Sequence, residues 1–365
     1  MITEPKIIQI GSVTIGDSQP CVVIPEGCDN HRGGLSLAKE MAHAAKEAGA
    51  KIIKFQLHLL DEEMVEAEMV KTSGVMFAKW GSLYGFIKAN LLTPDEHGKL
   101  MDYCSKIGIQ YFCTPFSLKA AQLLHEMGAE GFKIGSGETE DLPFIEEVAG
   151  FKKPMIVSTG MSLWEEIDLA VDAVKRVGAP LALAHCVSVY SPVSTVQLRM
   201  GVMMEFRNRY DVLVGFSDHT SPEGVFNNSG GRVSQEEIVW GAVAAGAKFI
   251  EKHFTLDRNA LDADSKFSLD PQNLKELIQT VNGAEEAFAG TREIMDEEKP
   301  VWIWAKRSVV AALDIPQGTT LGREMITSKR PGIGVRSKHY RAIMGKRVRR
   351  NINRGAIIYP QDVEL

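Results

Sequence analysis

Apolar segments of strand length alternate with segments of helical period through most of this chain. The strand candidates are residues 21–26, 52–56, 110–115, 131–137, 154–160, 180–186, 212–219 and 248–254. The helical segments that follow them are residues 35–48, 94–107, 118–127, 142–148, 164–177, 196–209, 236–245 and 271–289. Strict alternation favours a parallel sheet with helical crossovers, and eight such units close most economically as a (β/α)8 TIM barrel. An open doubly wound sheet is the rival fold, but no GxGxxG motif follows the first strand.

The length leaves room for more than a barrel. A barrel takes about 250 residues, whereas this chain has 365. We assign residues 1–290 to the barrel domain, 291–304 to a linker and 305–365 to a small β-rich domain, because the tail carries short strand segments separated by glycine-containing turns. Residues 7–15 alternate like a small hairpin ahead of the barrel.

Two insertions interrupt the alternation. Residues 57–92 are rich in Met, Phe and Trp, and a loop of that length in a compact domain is usually a lid or a partner surface. Residues 221–236 contain the run NNSGG, which predicts a mobile loop.

Composition narrows the class of protein. A content of 44% hydrophobic and 24% charged residues is typical of soluble globular proteins, and a net charge of -6 predicts no nucleic-acid partner. Because we find no secretion signal and no apolar run long enough to span a bilayer, we expect no membrane association. Five cysteines without a CxxC pair indicate reduced thiols, so the predicted location is cytoplasmic.

Every strand candidate ends in polar or charged residues. The C-terminal ends of barrel strands build the active site in this fold. His219 and His253 end the last two strands and could share a divalent metal, although a hydrogen bond to the backbone would explain either histidine alone. Lys54 and Lys133, together with several Ser and Thr hydroxyls, favour an anionic, phosphorylated substrate.

Seven motifs, in order, resemble the N-acetylneuraminate (sialic acid) synthase family. They are KFQ at 54–56, TPFS at 114–117, FKIGSGE at 132–138, STGM at 158–161, GFSDHT at 215–220, EKHFTLD at 251–257 and KRPGIG at 329–334. The tail is similar to that family's antifreeze-like (SAF) domain. In PEGCDNHRGG, Glu26, Asn30 and His31 fit the pattern E-x-G-x-N-H-x-G, whereas Gly27 and Cys28 depart from its middle. Ser188 stands where some relatives have Asn.

The resemblance implies condensation of phosphoenolpyruvate with an N-acylmannosamine-type aldose, which gives a nine-carbon 2-keto sugar acid and phosphate. It assigns His219 and His253 to Mn2+ or Mg2+, and Glu26 and Glu138 to catalysis. It implies a domain-swapped homodimer in which Arg330 reaches the partner subunit's site. The remaining substrate-binding residues are Lys54, Lys133, Ser136, Ser158 and Ser217 for phosphate, Thr114 for the phosphoenolpyruvate carboxylate, Gln56, Tyr190 and Asp264 for the sugar, and Ser188 near the phosphate.

Three other functions remain open at this stage. A related phosphoenolpyruvate-dependent keto-acid synthase would act on another aldose, such as a phosphorylated sugar or a legionaminic or pseudaminic acid precursor. A lysine Schiff-base aldolase would use Lys133 or Lys252, both at strand ends, and would need no metal. A non-catalytic carbohydrate-binding protein would use the SAF-like tail.

Overall fold

The structure is a computed structural model that describes residues 6–72, 75–260 and 264–364. It divides the chain into two compact units, Met1–Ala289 and Gly290–Leu365. Residues 296–305, most of which we assigned to a linker, contain a short 3-10 turn, Asp296–Glu298, and the helix Lys299–Ala305.

The first unit is a TIM barrel, as the alternation predicts. Its strands, numbered 1 to 8 in chain order, are Val22–Glu26, Ile52–Leu57, Gln110–Pro115, Phe132–Ile134, Met155–Ser158, Leu181–Cys186, Leu213–Asp218 and Phe249–His253. The α-helices that follow them are Leu35–Glu47, Pro94–Ile107, Leu118–Glu126, Leu142–Gly150, Trp164–Val177, Gly201–Tyr210, Gln235–Ala244 and Pro271–Phe288. Strand 8 pairs in parallel with strand 7 and with strand 1, which closes the sheet around from the last strand to the first.

Local sequence explains where several helices begin and end. Thr93 and Glu96 form a capping box at the start of helix Pro94–Ile107, and the proline occupies its first turn. The same helix ends at Gly108, whose φ of 78° is in the left-handed region that glycine adopts without steric cost. Such signals are local, which is why the helix boundaries are close to those read from the sequence.

Apolar side chains form two layers of core in the barrel unit. Outward-facing strand residues such as Phe55 and Val214 pack against the helices. Inward-facing residues such as Ile24 and Phe249 pack inside the barrel against a hairpin formed by Ile7–Ile10 and Val13–Gly16. The predicted hairpin therefore fills one end of the barrel interior with its buried isoleucines.

Both insertions are more regular than the sequence predicts. The first contains the helices Leu60–Glu63, Glu66–Thr72 and Leu83–Asn90 and the 3-10 segment Val75–Trp80, so the prediction of a long loop was wrong. The second contains two short antiparallel strands, Val225–Phe226 and Arg232–Val233, rather than an irregular loop. Their turn uses Asn227, whose side-chain oxygen accepts hydrogen bonds from the backbone N–H groups of Ser229 and Gly231.

The second unit is small and rich in short extended segments. Ser308–Ala311 and Ile326–Lys329 pair antiparallel, and isolated bridges such as Ile315↔Ile352 and Val348↔Val363 extend the pairing. Short helical turns cover Arg323–Met325, Ser337–His339, Tyr340–Ile343 and Pro360–Asp362. Val309, Leu321, Val348 and other apolar residues form a core of its own.

Candidate active site

The inward-facing side chains of the barrel strands change from apolar to polar toward the C-terminal ends. On strand 8, Phe249 belongs to the interior core, whereas Glu251 and His253, two and four residues on, line a cavity. Because side chains of a strand alternate with period two, these three residues share one face. The apolar core inside the barrel therefore ends in a layer of polar side chains, and this layer forms the floor of the cavity.

The cavity has a volume of about 580 Å³. All of the predicted catalytic, substrate and metal residues of the barrel unit line it: Glu26, Lys54, Gln56, Thr114, Lys133, Ser136, Glu138, Ser158, Ser188, Tyr190, Ser217, His219, His253 and Asp264. The structure thus brings these side chains together, while their individual roles remain predictions. Arg330 lies in the second unit, where its guanidinium is 5.7 Å from the ring centre of Trp304, and its role in a partner's site also remains a prediction.

Two buried lysines share one carboxylate at the cavity floor. Lys54 Nζ and Lys133 Nζ each lie 3.7 Å from an oxygen of Glu251, and Ser217 donates a hydrogen bond of 3.1 Å to the same carboxylate. Burial would raise the pKa of Glu251, but Lys133 and Lys54 hold it well below its usual range. Burial also lowers the pKa of Lys54 to about 8. An anion that approaches the two lysines would stabilise their charged ammonium groups.

Hydroxyl groups just after strand 4 and at the end of strand 5 line the same cavity as the lysines. Ser136 donates to Ser158 Oγ over 3.0 Å and accepts a hydrogen bond from the backbone N–H of Gly160. A Cβ at residue 160 would come within 2.3 Å of Ser188 Oγ and 2.7 Å of Ser136 Oγ. Glycine at this position therefore leaves room for the hydroxyls to meet at the edge of the cavity.

The two predicted metal ligands face each other at the rim. The ring centres of His219 and His253 are 5.2 Å apart, and Tyr190 stacks edge-on against His219. His253 Nδ1 is buried and makes no hydrogen bond to any residue that the structure describes, and Asp264 Oδ2 lies 3.4 Å away. Burial lowers the pKa of His253, which favours the neutral imidazole that binds metals.

The thiol of Cys28, near the start of the barrel domain, lies next to this group. Cys28 Sγ donates to Asp264 Oδ2 over 3.0 Å. Within the described part of the chain, the Cys28, His253 and Asp264 ligand atoms form a group whose members all lie within 4.8 Å of one another. Imidazole, thiolate and carboxylate are ligands of divalent first-row metals, so these residues fit a metal centre.

The two predicted catalytic carboxylates have different surroundings. Glu26 contacts Lys54 through one oxygen and accepts a 2.6 Å hydrogen bond from the Cys28 N–H through the other. Glu138 folds over Gly135, and its buried Oε2 has no hydrogen-bond partner in the chain segments described. Burial raises the pKa of Glu138 to about 7. Glu138 is therefore the carboxylate that can both hold and release a proton near neutral pH.

Replacing Glu138 with glutamine is expected to stabilise the protein more at pH 8 than at pH 5. The folded state keeps the Glu138 proton up to a pKa of about 7, whereas the unfolded chain releases it near 4.5. The unfolded state binds fewer protons in this window, so wild-type stability falls as pH rises through it, by on the order of 2 kcal/mol.

Urea denaturation of both proteins at the two pH values measures this effect. Glu140→Gln is the matched control, because Glu140 is an exposed carboxylate two residues away. A stability difference between Glu138→Gln and the wild type that does not change with pH would contradict the prediction.

The insertion after strand 2 supplies an apolar wall to the cavity. Its lining side chains are Met64, Met69, Phe77, Leu83, Phe86 and Ile87. Next to them, His58 Nε2 lies 3.1 Å from Gln56 Oε1, while His58 Nδ1 lies 2.9 Å from Glu63. Gln56, a predicted sugar contact, is thus positioned by residues of the insertion.

Lys252, one of the two lysines considered for a Schiff base, does not face the cavity. It follows Glu251 on strand 8 and therefore points to the other face, where Nζ lies 2.8 Å from Asp218 Oδ2. Gln235 also donates to this carboxylate, over 2.9 Å. Burial would raise the pKa of Asp218, but Lys252 and these hydrogen bonds hold it below its usual range. Lys252 has a structural role, which leaves Lys133 for that alternative.

The structure adds residues that have no role in the predictions made from the sequence. Glu251 was recognised as a strand end, and its spacing of two from His253 was the signal that it faces the same cavity. Cys28 was noted as a departure from a motif, but its contact with Asp264 is not visible in the sequence. His58 and Glu63 lie within the insertion, where no periodic pattern marked them.

Comparisons with known proteins agree with this architecture. The NeuB family model matches residues 41–293, and the SAF domain model matches residues 306–364. The chain is 31% identical to N,N'-diacetyllegionaminic acid synthase of Legionella pneumophila, covering 96% of each chain. It is 30% identical to pseudaminic acid synthase of Campylobacter jejuni, covering 98% of this chain and 100% of that protein.

A solved structure shows the same fold. The N-acetylneuraminic acid (sialic acid) synthetase of Leptospira borgpetersenii, in complex with citrate, superimposes with a TM-score of 0.69 at 28% identity. The match covers 81% of this chain and 95% of that one.

The barrel, its polar strand-end cavity and the tail together define a TIM-barrel enzyme with a C-terminal SAF domain. Among such enzymes, this chain belongs to the NeuB family. It is a synthase-type enzyme of that family. No helix among the described residues is long and apolar enough to cross a membrane.

Proposed function

We propose that this enzyme condenses phosphoenolpyruvate with an N-acylmannosamine-type aldose to give a nine-carbon 2-keto sugar acid and phosphate. The observation that carries the proposal is the pair Lys54 and Lys133, which are buried on neighbouring sides of Glu251 beside the Ser136–Ser158 hydroxyl pair. Glu251 and Glu26 balance these two ammonium groups, and both ammonium groups line the cavity, where a phosphate can reach them. A phosphate bound there would gain charge-assisted hydrogen bonds from lysines and directional ones from serines.

The other substrate would occupy the outer part of the cavity. Glu26, Gln56, Tyr190 and Asp264 supply polar groups for sugar hydroxyls, and the wall of Met64, Phe77 and Phe86 supplies an apolar surface. An acyl-substituted sugar presents both kinds of surface. Relatives named as synthases of legionaminic, pseudaminic and sialic acids support this substrate class.

The chain's residues would perform the proton transfers and position the reactants. A carbon–carbon bond forms between the enol carbon of phosphoenolpyruvate and the aldehyde carbon, and the electron-poor carbon that remains is captured by water. Loss of phosphate then breaks the C–O bond and leaves the ketone. Glu138, with a pKa of about 7, is placed to take the proton from that water or to donate one to the aldehyde oxygen. Holding both reactants in line lowers the activation free energy by about 7 to 11 kcal/mol, because their translational freedom is already lost on binding.

A divalent metal, Mn2+ or Mg2+, belongs to the same proposal. His219 and His253 would hold it, since both line the cavity and His253 Nδ1 is buried without a hydrogen bond to any described residue. When bound, such an ion polarises a carbonyl oxygen as a Lewis acid.

Phosphate release from phosphoenolpyruvate tests the proposal. The aldose panel is N-acetylmannosamine, mannose, a 2,4-diacetamido-trideoxy-mannose type sugar and arabinose 5-phosphate, each with Mn2+ and with chelator. Metal-dependent release with an N-acylated aldose supports the proposal and identifies its branch. Release with arabinose 5-phosphate alone would favour the related keto-acid synthase, and no release with any aldose would contradict both.

Lys133→Ala is expected to raise the KM for phosphoenolpyruvate by roughly 10-fold to 100-fold, since a hydrogen bond to a charged group contributes about 1.5 to 3 kcal/mol. The KM for the aldose should change little, because the lysine lies at the phosphate side of the cavity. Steady-state kinetics with each substrate varied separately measure the two values.

An experiment on Lys133 also distinguishes the proposed synthase from a Schiff-base aldolase. Borohydride in the presence of an aldose or of pyruvate would trap a covalent adduct on an aldolase and would leave a synthase of the proposed type unmodified. Adduct formation that Lys133→Ala abolishes would overturn the proposed mechanism. Lys51→Ala, at an exposed position just before strand 2, is the control variant.

A further inference from the structure

We propose that Cys28 is a thiolate ligand of the active-site metal, together with His253 and Asp264, and that this enzyme therefore prefers Fe2+, Co2+ or Zn2+ to Mn2+ and Mg2+. The inference rests on the proposed function in placing a metal in this cavity. It keeps His253 from the pair proposed above, adds a thiolate and a carboxylate ligand, and favours other ions than the Mn2+ or Mg2+ that the resemblance implies. Soft thiolate ligands favour zinc and its neighbours, whereas manganese and magnesium favour oxygen.

The three donor atoms lie close enough together to share one ion. Cys28 Sγ lies 3.0 Å from Asp264 Oδ2, and His253 Nδ1 lies 3.4 Å from the same oxygen. Ligands of a tetrahedral zinc ion with bonds of about 2.0 to 2.3 Å are separated by roughly 3.3 to 3.8 Å. A small outward shift of the carboxylate would thus make room for an ion among the three residues.

The His253 ring nitrogen Nδ1 has no hydrogen-bond partner among the described residues, although the Asp264 carboxylate lies 3.4 Å away. The His253 side chain is 8% exposed. A buried ring nitrogen without a partner costs free energy unless a ligand satisfies it. It is aimed at the space that Cys28 and Asp264 also border.

The backbone at residue 28 is in an unusual conformation. Cys28 has a φ of 45°, in the left-handed region where glycine is favoured. A cysteine here is therefore held in a conformation that glycine would adopt without strain. Cys28 has this strained backbone conformation, and its thiol lies near His253 and Asp264. The combination indicates that the sulfur has a function.

Cobalt binding tests the inference without turnover. Full-length protein is stripped of metal with chelator and titrated with Co2+ while its near-ultraviolet absorption is recorded. We expect one Co2+ per chain and a thiolate-to-cobalt charge-transfer band. Cys28→Gly should lose the band and bind Co2+ at least roughly 10-fold more weakly. Because glycine suits the φ of residue 28, this variant should keep the fold and a melting temperature close to that of the wild type.

Two further cysteine variants complete the design. Cys104→Ala removes a buried free thiol of helix Pro94–Ile107 and should leave the band unchanged. Cys186 lies 3.8 Å from His219 Nδ1 and is the other thiol that lines the cavity. A band that survives Cys28→Gly but disappears in Cys186→Ala would overturn the inference, as would Co2+ binding without a band or the absence of Co2+ binding.

Metal preference is the second readout. Competition between Zn2+ and Mn2+, followed by metal analysis of the desalted protein, should show retention of Zn2+ by the wild type and a weaker preference in Cys28→Gly. Equal preference in the two proteins would contradict the inference. Condensation without a thiolate band would leave the proposed function standing and remove Cys28 from the site. A charge-transfer band without condensation would support Cys28 as a metal ligand and contradict the proposed function.

Discussion

His253→Ala is expected to abolish metal-stimulated condensation, with a fall in kcat of at least about 1000-fold. Lewis-acid stabilisation contributes several kcal/mol to such reactions, and each 1.36 kcal/mol corresponds to a factor of ten. The imidazole faces the cavity, so its removal opens space beside an existing pocket and the barrel should stay folded. Phosphate release at saturating phosphoenolpyruvate and aldose, with and without added metal, measures the loss.

The matched control for this experiment is His43→Ala. His43 is an exposed histidine of helix Leu35–Glu47, outside the cavity, and its replacement should leave kcat unchanged. Circular dichroism and a melting curve verify that His253→Ala is folded. If folded His253→Ala kept wild-type turnover after chelation, the assignment of His253 to a metal would be wrong.

Lys252→Ala is expected to destabilise the barrel by about 3 to 5 kcal/mol, because it leaves the buried carboxylate of Asp218 without its counter-charge. Lys252 is fully buried, and its ammonium group contacts both Asp218 and Thr220. Chemical denaturation of the wild type and the variant measures the difference. Lys133→Ala should cost less, since Glu251 would keep its contact with Lys54 and its hydrogen bond from Ser217.

The double variant Lys252→Met with Asp218→Asn separates charge from packing. Removing both charges of a buried pair is often close to neutral, so the double variant should recover much of the stability that Lys252→Ala loses. The single variants Lys252→Met and Asp218→Asn, together with the double variant, form a cycle that gives the coupling energy. A Lys252→Ala stability within about 0.5 kcal/mol of the wild type, the range of ordinary surface substitutions, would show that the ion pair is not structural.

Local pattern was enough to predict the barrel. All eight predicted strands and eight predicted helices are present, although the helix predicted at residues 196–209 begins as the 3-10 turn Thr195–Gln197 and continues as Gly201–Tyr210. Caps, glycine stops and apolar runs are properties of neighbouring residues, which is why they can be read in order. The insertion at 57–92 was misread as a loop because its helices are short and no single periodic segment dominates it.

The sequence by itself determined the alternation of strands and helices, and with it the barrel and the strand ends where polar residues collect. It did not determine which of those residues meet. Glu251 and Lys252 are neighbours in the chain, yet one faces the cavity and the other an internal ion pair. Cys28 follows the first barrel strand and Asp264 follows the last, and they are in contact because strand 8 pairs with strand 1. Closure of the sheet decides such contacts, since pairing between strands is non-local and one chain position carries no record of its neighbour across the barrel.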